Sequence, residues 1–245
     1  MATAPHNAAF PARAAPGDAQ GYDRTRARVE DYFDRTATKT WERLTSDAPV
    51  SRIRETVRVG RSRMRALMLS RLPKDLRGAR ILDAGCGAGP ATVELAERGA
   101  QVVAVDISPQ LIDIAQLRLP EGLRRQVSFH AGDMFDPSLG RFDAVFAMDS
   151  MIYYGADDLG ACLARLEPRV VGPIIFTVAP RTPALMAMWY AGKAFPKSDR
   201  SPVMVPHAHA TLARAAKAAG ARRMLRPVDR VTSGFYISEA MELRP

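Results

Sequence analysis

A glycine-rich turn between two short apolar runs is the part of the sequence best suited to binding a ligand. The stretch ILDAGCGAGPATVELAERGAQVVAVDIS extends from Ile81 to Ser108, and each of its apolar runs ends in an aspartate. Glycine has no Cβ and adopts positive φ readily, so a ligand can approach the backbone at Gly85, Gly87 and Gly89. Pro90 suits the first turn of a following helix. The pattern predicts a ligand site where a strand turns into a helix.

Two classes of ligand compete for such a turn. A dinucleotide site requires G-x-G-x-x-G, and here Pro90 stands where the third glycine belongs. This spacing disfavours a nicotinamide or flavin enzyme. The pattern D-x-G-C-G-x-G from Asp83 to Gly89 instead resembles motif I of the class I S-adenosylmethionine-dependent methyltransferases.

Three further segments carry the same resemblance. Asp106 closes the second apolar run, where the family has a carboxylate that accepts the ribose hydroxyls. Asp133, in HAGDMFD, matches the family residue that meets the adenine amino group, and RFDAVFAMDSM looks like the family's fourth strand. The resemblance implies that S-adenosylmethionine is the methyl donor. It implies these cofactor-binding residues: Asp83, Gly85, Cys86, Gly87, Gly89, Asp106, Ile107, Asp133, Met134 and Met148.

Short β-branched runs alternate with helical segments after Leu72, which indicates a parallel sheet covered on both faces. We therefore predict an α/β protein with a Rossmann-like class I methyltransferase fold. Its sheet has seven mostly parallel strands with an antiparallel last strand, and helices precede it. The predicted strands are Arg80–Ala84, Gln101–Asp106, Gln126–Ala131, Phe142–Met148 and Pro173–Ala179, followed by a terminal helix near Ala208–Ala219 and a β-hairpin.

The chain divides into three predicted parts. Residues 1–21 are rich in Ala and Pro and are predicted to form a mobile tail. Residues 22–75 are predicted to form a helical cap, since apolar residues recur there at helical spacing among many arginines. Residues 76–245 are predicted to form the methyltransferase domain, with a substrate-covering insertion near 182–206.

The charge of the chain favours an acidic partner. Lys and Arg number 35 against 26 Asp and Glu, a net charge of +9 over 245 residues, which suits nucleic acid, an anionic membrane or an anionic small molecule. Nucleic acid is not expected, because the tetrad that amino-methylating DNA enzymes carry after the fourth strand is replaced by DSMIYYG. Two cysteines, no apolar run of membrane-spanning length and no secretory signal indicate a cytoplasmic protein. Peripheral contact of the basic helices with the inner membrane is a hypothesis.

A narrower resemblance indicates the methyl acceptor. From Val29 onward, VEDYFDRTATKTWERL, DSMIYYG and SGFYISEAMEL are similar to the magnesium-protoporphyrin IX O-methyltransferases of chlorophyll and bacteriochlorophyll biosynthesis. The resemblance implies methyl transfer to one propionate of magnesium protoporphyrin IX, giving the monomethyl ester. The magnesium is then carried by the substrate, and no protein-bound metal is expected. The large porphyrin-binding subunit of magnesium chelatase is implied as a partner that donates the substrate.

Two tyrosines and four other residues are candidates for acting on this substrate. A propionate has a pKa of about 4.3 and is ionised at pH 7, so positioning matters more than general-base catalysis. The resemblance implies positioning roles for Tyr32 and for Tyr153, which stands where many relatives have a histidine. The anionic, planar porphyrin would be bound by Arg54, Arg58, Trp189 and Tyr190.

Two other functions fit the same sequence. One is a class I methyltransferase acting on another lipophilic acceptor, such as the hydroxyl of a quinone precursor, which would require a base or a metal near the acceptor. The other is a tetrapyrrole carrier that retains a methyltransferase fold without catalysis. Cofactor binding without turnover would support the carrier.

Overall fold

The computed structural model of the protein describes residues 19–32, 52–183, 185–187 and 204–245. Its helices are α1 (Ala19–Tyr32), α2 (Arg52–Leu69), α3 (Pro90–Glu97), α4 (Pro109–Arg118), α5 (Ala156–Leu166) and α6 (His209–Ala218). Its strands are β1 (Arg80–Ala84), β2 (Gln101–Asp106), β3 (Val127–Ala131), β4 (Ala144–Ala147), β5 (Ile174–Pro180), β6 (Pro206–His207), β7 (Met224–Ser233) and β8 (Tyr236–Arg244).

All the strands of the described residues belong to one sheet. Its order is β3-β2-β1-β4-β5-β8-β7, and the short strand β6 pairs in parallel with β5. Every other pair is parallel, except that β8 runs antiparallel to both β5 and β7. The predicted fold class is therefore confirmed. Strand β6 has only two residues and brings the number of strands to eight, which the sequence analysis did not predict.

Successive residues of the central strands contribute to two hydrophobic clusters. Leu82 and Val145 belong to one cluster, together with residues of α5 and α6, whereas Ile81 and Phe146 belong to the other, together with residues of α2 and α3. Side chains of a strand point alternately to opposite faces of the sheet. A parallel strand that is covered on both faces is therefore apolar along its whole length, and this is the pattern that identified the strands in the sequence.

Several predicted boundaries differ from those of the structure. Strands β1 and β2 have the predicted limits, but β4 is shorter than predicted because Phe142 forms only an isolated bridge with Val170. Helix α1 begins at Ala19, so the tail predicted for residues 1–21 is wrong at its last three positions. Residues 33–51 of the predicted cap lie outside the described residues.

Helix α2 packs against the hairpin of β7 and β8. A Cβ on Gly60 would lie 2.6 Å from the ring of Tyr236, so only a glycine permits this approach. The Ser233 hydroxyl donates to the Thr56 carbonyl oxygen at 2.9 Å. Because β8 is antiparallel to β5, its first residue lies at the edge of the sheet where the parallel strands end. This packing holds α2 beside that edge.

None of the described helices combines the length and the apolar character that crossing a bilayer requires.

Candidate functional site

A cavity opens at the edge of the sheet where β1, β2 and β4 end, and α1 and α2 contribute to its wall. It contains about 960 Å³ of empty space, counting the solvent at its mouth. Ligands of open α/β sheets bind at this edge. Of the predicted cofactor residues, these line the cavity: Asp83, Gly85, Cys86, Gly87, Asp106, Ile107, Asp133, Met134 and Met148.

The three glycines of the turn all have positive φ, but for different structural reasons. A Cβ on Gly85 would lie 2.2 Å from the Cβ of Ser150, so this position has no room for a side chain. At Gly87 a Cβ would meet no atom within 4 Å, since the position faces open space in the cavity. A Cβ on Gly89, which precedes α3, would lie 3.1 Å from the Cβ of Ala115. Gly89 therefore shapes the turn but is not part of the cavity lining.

Asp106 joins the glycine turn to the end of β2. Its Oδ2 accepts the Gly87 N–H at 2.8 Å, and its Oδ1 accepts the Ser108 N–H at 3.0 Å. These bonds fix a carboxylate at the cavity wall beside the turn. The position suits the ribose-binding role that the family resemblance implies.

Asp83 lies at the end of β1 and is almost completely buried. Its Oδ2 accepts the Thr92 hydroxyl at 2.6 Å. Burial raises the pKa of the Asp83 carboxyl to about 7, with the Thr92 hydrogen bond and Arg65 opposing the rise and the charge of Asp106 adding to it. Because this pKa is close to neutral pH, a cation bound nearby would shift the Asp83 carboxyl toward its ionised form.

Tyr22 of α1 is held against the Asp133 carboxylate. The Tyr22 hydroxyl and the Phe135 N–H donate to the same oxygen, Asp133 Oδ1, at 2.7 and 2.8 Å. The Tyr22 ring also stacks on Tyr154, with ring centroids 5.2 Å apart. Among the described residues, this leaves Oδ2 of Asp133 available for the adenine contact that the family resemblance implies. The sequence analysis did not identify Tyr22, although Tyr22, Arg26 and Val29 occupy one face of a helix.

Asp149 connects four elements at the edge of the cavity. Its carboxylate accepts Arg61 Nη1 at 2.5 Å, the Tyr236 hydroxyl at 3.1 Å and the Thr177 hydroxyl at 3.1 Å. Its φ is +56°, which is uncommon outside glycine. The Thr177 hydroxyl also accepts the Asp149 N–H at 2.7 Å, which stabilises this conformation. Asp149 thereby fixes the start of the loop that carries Tyr153.

The two predicted positioning tyrosines lie close to each other but differ in their access to the cavity. Tyr153 is buried and lines the cavity, and its pKa is raised first by burial and then by the charge of Asp149. It is therefore a neutral phenol, a hydrogen-bond donor rather than a base. Tyr32 is half-buried and packs against the cluster that contains Val29 and Tyr153, without being part of the cavity lining. The positioning roles of both stay predictions.

Strand β6 and Val205, the residue before it, hold the Tyr153 loop. The Val205 N–H donates to the Ile152 carbonyl oxygen at 2.9 Å, and His207 Nε2 lies 3.0 Å from the Tyr154 carbonyl oxygen. Burial lowers the pKa of His207, so the ring is neutral, and its contact with a carbonyl oxygen places the proton on Nε2. The two hydrogen bonds flank Tyr153 on either side in the chain.

We expect His207→Ala to lower kcat about 10- to 100-fold, because a small displacement of a positioning group has an effect of this size. The Kd for S-adenosylmethionine should stay within about twofold, since His207 does not line the cavity. His207→Gln retains an N–H donor and should recover part of the activity. His209→Ala is the matched control, because His209 contacts Glu239 instead of the loop. Equal kcat values for His207→Ala and His209→Ala would contradict the role of His207.

The arginines that reach the cavity are not the predicted ones. Arg54 is exposed and Arg58 pairs with Glu55 at 2.7 Å, and neither lines the cavity. Among the residues that the structure describes, the arginines that line it are Arg26, Arg61 and Arg65. The predicted substrate residues Trp189 and Tyr190 lie outside the described residues.

Cys86 lines the cavity as a buried thiol. Burial, and then the charges of Asp106 and Asp83, raise its pKa well above the ordinary value, so it stays protonated and is a poor nucleophile.

Within the described part of the chain, no group of three or more His, Cys, Asp or Glu residues is arranged to hold a metal ion.

Two family models match the chain. The model of the magnesium-protoporphyrin IX methyltransferase C-terminus matches residues 147–245, and a methyltransferase-domain model matches residues 81–171. The second match contains the glycine turn with Asp106 and Asp133. The first contains Asp149, the Tyr153 loop and the terminal hairpin.

Individual relatives agree with these models. A magnesium-protoporphyrin O-methyltransferase from Rhodobacter capsulatus is 61% identical over 225 residues, which is 91% of this chain and 98% of the relative. The crystal structure of magnesium protoporphyrin IX methyltransferase from Synechocystis PCC 6803 with bound S-adenosylhomocysteine superimposes with a TM-score of 0.74 at 27% identity, covering 91% of this chain and 100% of that one. A ubiquinone biosynthesis O-methyltransferase from Xanthomonas oryzae is 35% identical, but over only 49% of this chain and 52% of the relative.

Proposed function

Because the chain belongs to the magnesium-protoporphyrin O-methyltransferase family, it is an S-adenosylmethionine-dependent methyltransferase of magnesium protoporphyrin IX, and we propose that the acceptor group is a propionate carboxylate. The 61% identity over nearly the whole length of the R. capsulatus relative supports the substrate. The neutral, buried Tyr153 at the cavity wall is the observation that favours a carboxylate acceptor, because a neutral phenol can donate a hydrogen bond to a carboxylate but is not a base for a hydroxyl.

The residues that line the cavity favour one orientation of bound S-adenosylmethionine. The adenine belongs at Asp133, the ribose at Asp106 and the methionine portion at the glycine turn, in the order in which these residues line the sheet edge. The cofactor carries a sulfonium and an ammonium group, and Asp83 beneath the turn supplies a carboxylate for this positive charge. This orientation places the methyl group toward Met148 and the Tyr153 loop.

The reaction is an in-line displacement that needs little acid–base chemistry. A propionate oxygen forms a bond to the methyl carbon while the bond from that carbon to sulfur breaks, and the sulfur retains the electron pair. The products are the methyl ester and S-adenosylhomocysteine. An ionised carboxylate has no proton to lose, so the protein's contribution is to align the groups and to exclude water. A hydrogen bond from Tyr153 to the second carboxylate oxygen would orient the reacting oxygen.

A hydroxyl acceptor, such as a quinone precursor, would require a group that removes its proton. Histidine is absent from the cavity lining formed by the described residues, and Tyr153 is held neutral. Asp149 already accepts hydrogen bonds from Arg61, Tyr236 and Thr177, so its oxygens are engaged with the protein. The site therefore favours a carboxylate acceptor over a hydroxyl.

Turnover on a small panel of acceptors tests the proposal. Magnesium protoporphyrin IX should gain one methyl group, whereas its dimethyl ester and a catechol quinone precursor should gain none. Methylation of the catechol, or of the dimethyl ester, would contradict a carboxylate acceptor. Tight S-adenosylmethionine binding with no turnover on any acceptor would favour the carrier function.

A cytoplasmic location with peripheral membrane contact is also a proposal. Exposed arginines on the outer faces of α1 and α2 support it, because clustered cations are attracted to anionic lipid surfaces. They are Arg24, Arg28, Arg52, Arg54 and Arg63. In a flotation experiment the protein should rise with anionic liposomes and remain at the bottom with neutral ones, and equal behaviour with both would contradict the contact.

Substrate delivery by the large porphyrin-binding subunit of magnesium chelatase stays a prediction from the family resemblance. If it is correct, the porphyrin-loaded subunit should give a higher rate of methylation than the same concentration of free porphyrin. Equal rates would argue against delivery by this partner.

A further inference from the structure

One cation of the cavity lacks a partner in the described structure. Arg26 lines the cavity, its Nε is buried, and that atom makes no hydrogen bond among the described residues. Helix α1 has two other arginines, Arg24 and Arg28, and both are exposed to solvent. Arg26 as a whole is half-buried, but a buried guanidinium N–H without an acceptor is costly, so the inward orientation of its Nε suggests that a ligand supplies the acceptor.

The neighbours of Arg26 locate it at one end of the cavity. Its charge acts on the pKa of Tyr154, whose ring stacks on Tyr22. The Tyr22 hydroxyl reaches Asp133, where the adenine belongs. The other two arginines that line the cavity among the described residues lie on α2, and each has an acidic partner. Arg61 pairs with Asp149, and Arg65 pairs with Glu94.

The cofactor does not provide the anion that Arg26 needs. Its carboxylate is at the methionine end, beside the glycine turn, where the charge of Arg65 acts on Asp83. Its adenine, at the Asp133 end, is neutral and cannot compensate the positive charge of Arg26. The porphyrin substrate, in contrast, has two propionates on neighbouring pyrrole rings, and only one of them accepts the methyl group.

The reacting propionate is a poor partner for Arg26. A guanidinium that binds the nucleophilic carboxylate tightly withdraws electron density from the attacking oxygen and slows the displacement. Val29, which packs in the same cluster as Tyr153, is three residues after Arg26, or about 4.5 Å along the helix axis. Arg26 therefore lies about one helical turn away from the Tyr153 cluster, where the reacting propionate is proposed to bind. A second carboxylate on the same edge of the porphyrin could reach Arg26 across this distance.

We propose that Arg26 binds the non-reacting propionate of magnesium protoporphyrin IX and thereby determines which propionate is presented to the methyl group. This inference rests on the proposed function, because it requires the dianionic porphyrin as substrate. A bidentate pair between the guanidinium and that carboxylate fixes the orientation of the porphyrin in the cavity as well as its position. The enzyme then stops after one methylation, because the monoester no longer has both carboxylates.

The test compares Arg26→Met, Arg26→Lys and, as a matched control on the same helix, Arg28→Met. Two substrates are used: magnesium protoporphyrin IX, and whichever of its two propionate monoamides the wild-type enzyme methylates. For Arg26→Met we expect the KM for the dianionic porphyrin to rise about 10- to 100-fold, the range for hydrogen bonds to charged groups. The KM for the monoamide should change less than about twofold, and Arg26→Lys should be intermediate.

Two further readouts separate this role from others. The Kd for S-adenosylmethionine should be unchanged in Arg26→Met, and its thermal unfolding temperature should be unchanged or higher, because a buried N–H without an acceptor has been removed. A weaker Kd for the cofactor, an equal rise of KM for both substrates, or no change at all would each overturn the proposal. If the wild-type enzyme methylates no porphyrin, the proposed function itself fails, which is a distinct outcome.

Discussion

Gly85→Ala should abolish measurable binding of S-adenosylmethionine, with a loss of affinity of at least about 100-fold. The alanine Cβ would lie 2.2 Å from the Cβ of Ser150, and the φ of +78° is itself unfavourable for alanine. Either the turn or the loop after β4 must move, and both form the cavity wall. Calorimetric titration of the cofactor measures the effect directly.

Gly78→Ala is the matched control for this experiment. Gly78 has a φ of +82°, but a Cβ there would meet nothing within 4 Å, so the substitution isolates the cost of positive φ. We expect it to reduce the free energy of unfolding by about 1–2 kcal/mol and to leave cofactor affinity unchanged. Combining Gly85→Ala with Ser150→Gly should restore part of the affinity. Equal cofactor binding by Gly85→Ala and Gly78→Ala would show that the close approach to Ser150 is not what the site requires.

Asp83→Asn should stabilise the cofactor-free protein at pH 8 and weaken cofactor binding at the same time. The native pKa of Asp83 is about 7 against 3.8 for the unconstrained group, so between these values the folded state holds a proton that the unfolded state has lost. The contribution of this group to stability therefore falls as the pH rises from about 4 to 7. Above pH 7 the full cost is about 4 kcal/mol, to order of magnitude.

Chemical denaturation at several pH values between 5 and 8 measures this effect. The free energy of unfolding of Asp83→Asn should exceed that of the wild-type protein by a few kcal/mol at pH 8, and the difference should shrink toward pH 5. Since an ionised Asp83 attracts the cationic cofactor, wild-type affinity should rise with pH through about 7, whereas Asp83→Asn should show no such rise. Parallel stability curves for the two proteins would contradict the assignment.

Thr92→Val tests the link between the pKa of Asp83 and cofactor binding by raising this pKa instead of removing the carboxyl. It removes the hydrogen bond that lowers the pKa of Asp83, so the pH midpoint of cofactor binding should move upward. A midpoint that stays at the wild-type value would mean that Asp83 does not control the pH dependence.

The sequence was sufficient to predict the sheet and the cofactor side of the cavity because these depend on local patterns. Continuous apolar runs identified β1 and β2, and the resemblance to the methyltransferase motifs implied which aspartates bind the cofactor. Nine of the ten predicted cofactor residues line the cavity. Gly89 is the exception, because a glycine can be required by packing against a helix as much as by a ligand.

The N-terminal helices were harder to place. Arg54, Arg58, Arg61 and Arg65 are spaced by four, three and four residues, so they share one side of α2. The sequence thus indicated the relevant side of the helix, but the cavity lies beside its C-terminal turns, and only Arg61 and Arg65 reach it. Which turns reach the site depends on Gly60 packing on Tyr236, a contact between residues far apart in sequence.

Helix α1 shows the same limitation. Its arginines alternate with other residues, a pattern typical of a solvated surface. Arg26 is turned inward because Tyr22 and Val29 on the same face are buried against the rest of the molecule. The roles of Asp149 and His207 likewise depend on partners that are distant in sequence, which helical and strand periodicity do not reveal.

A single-turnover reaction with S-adenosylmethionine labelled with carbon-13 in the methyl group tests directly whether a propionate of magnesium protoporphyrin IX accepts the methyl group. Magnesium protoporphyrin IX is the acceptor, and NMR and mass spectrometry of the product locate the label. We expect one labelled methyl ester on one propionate, with S-adenosylhomocysteine formed in equal amount. Label on any other atom of the porphyrin, or no transfer by a protein that binds both ligands, would contradict it.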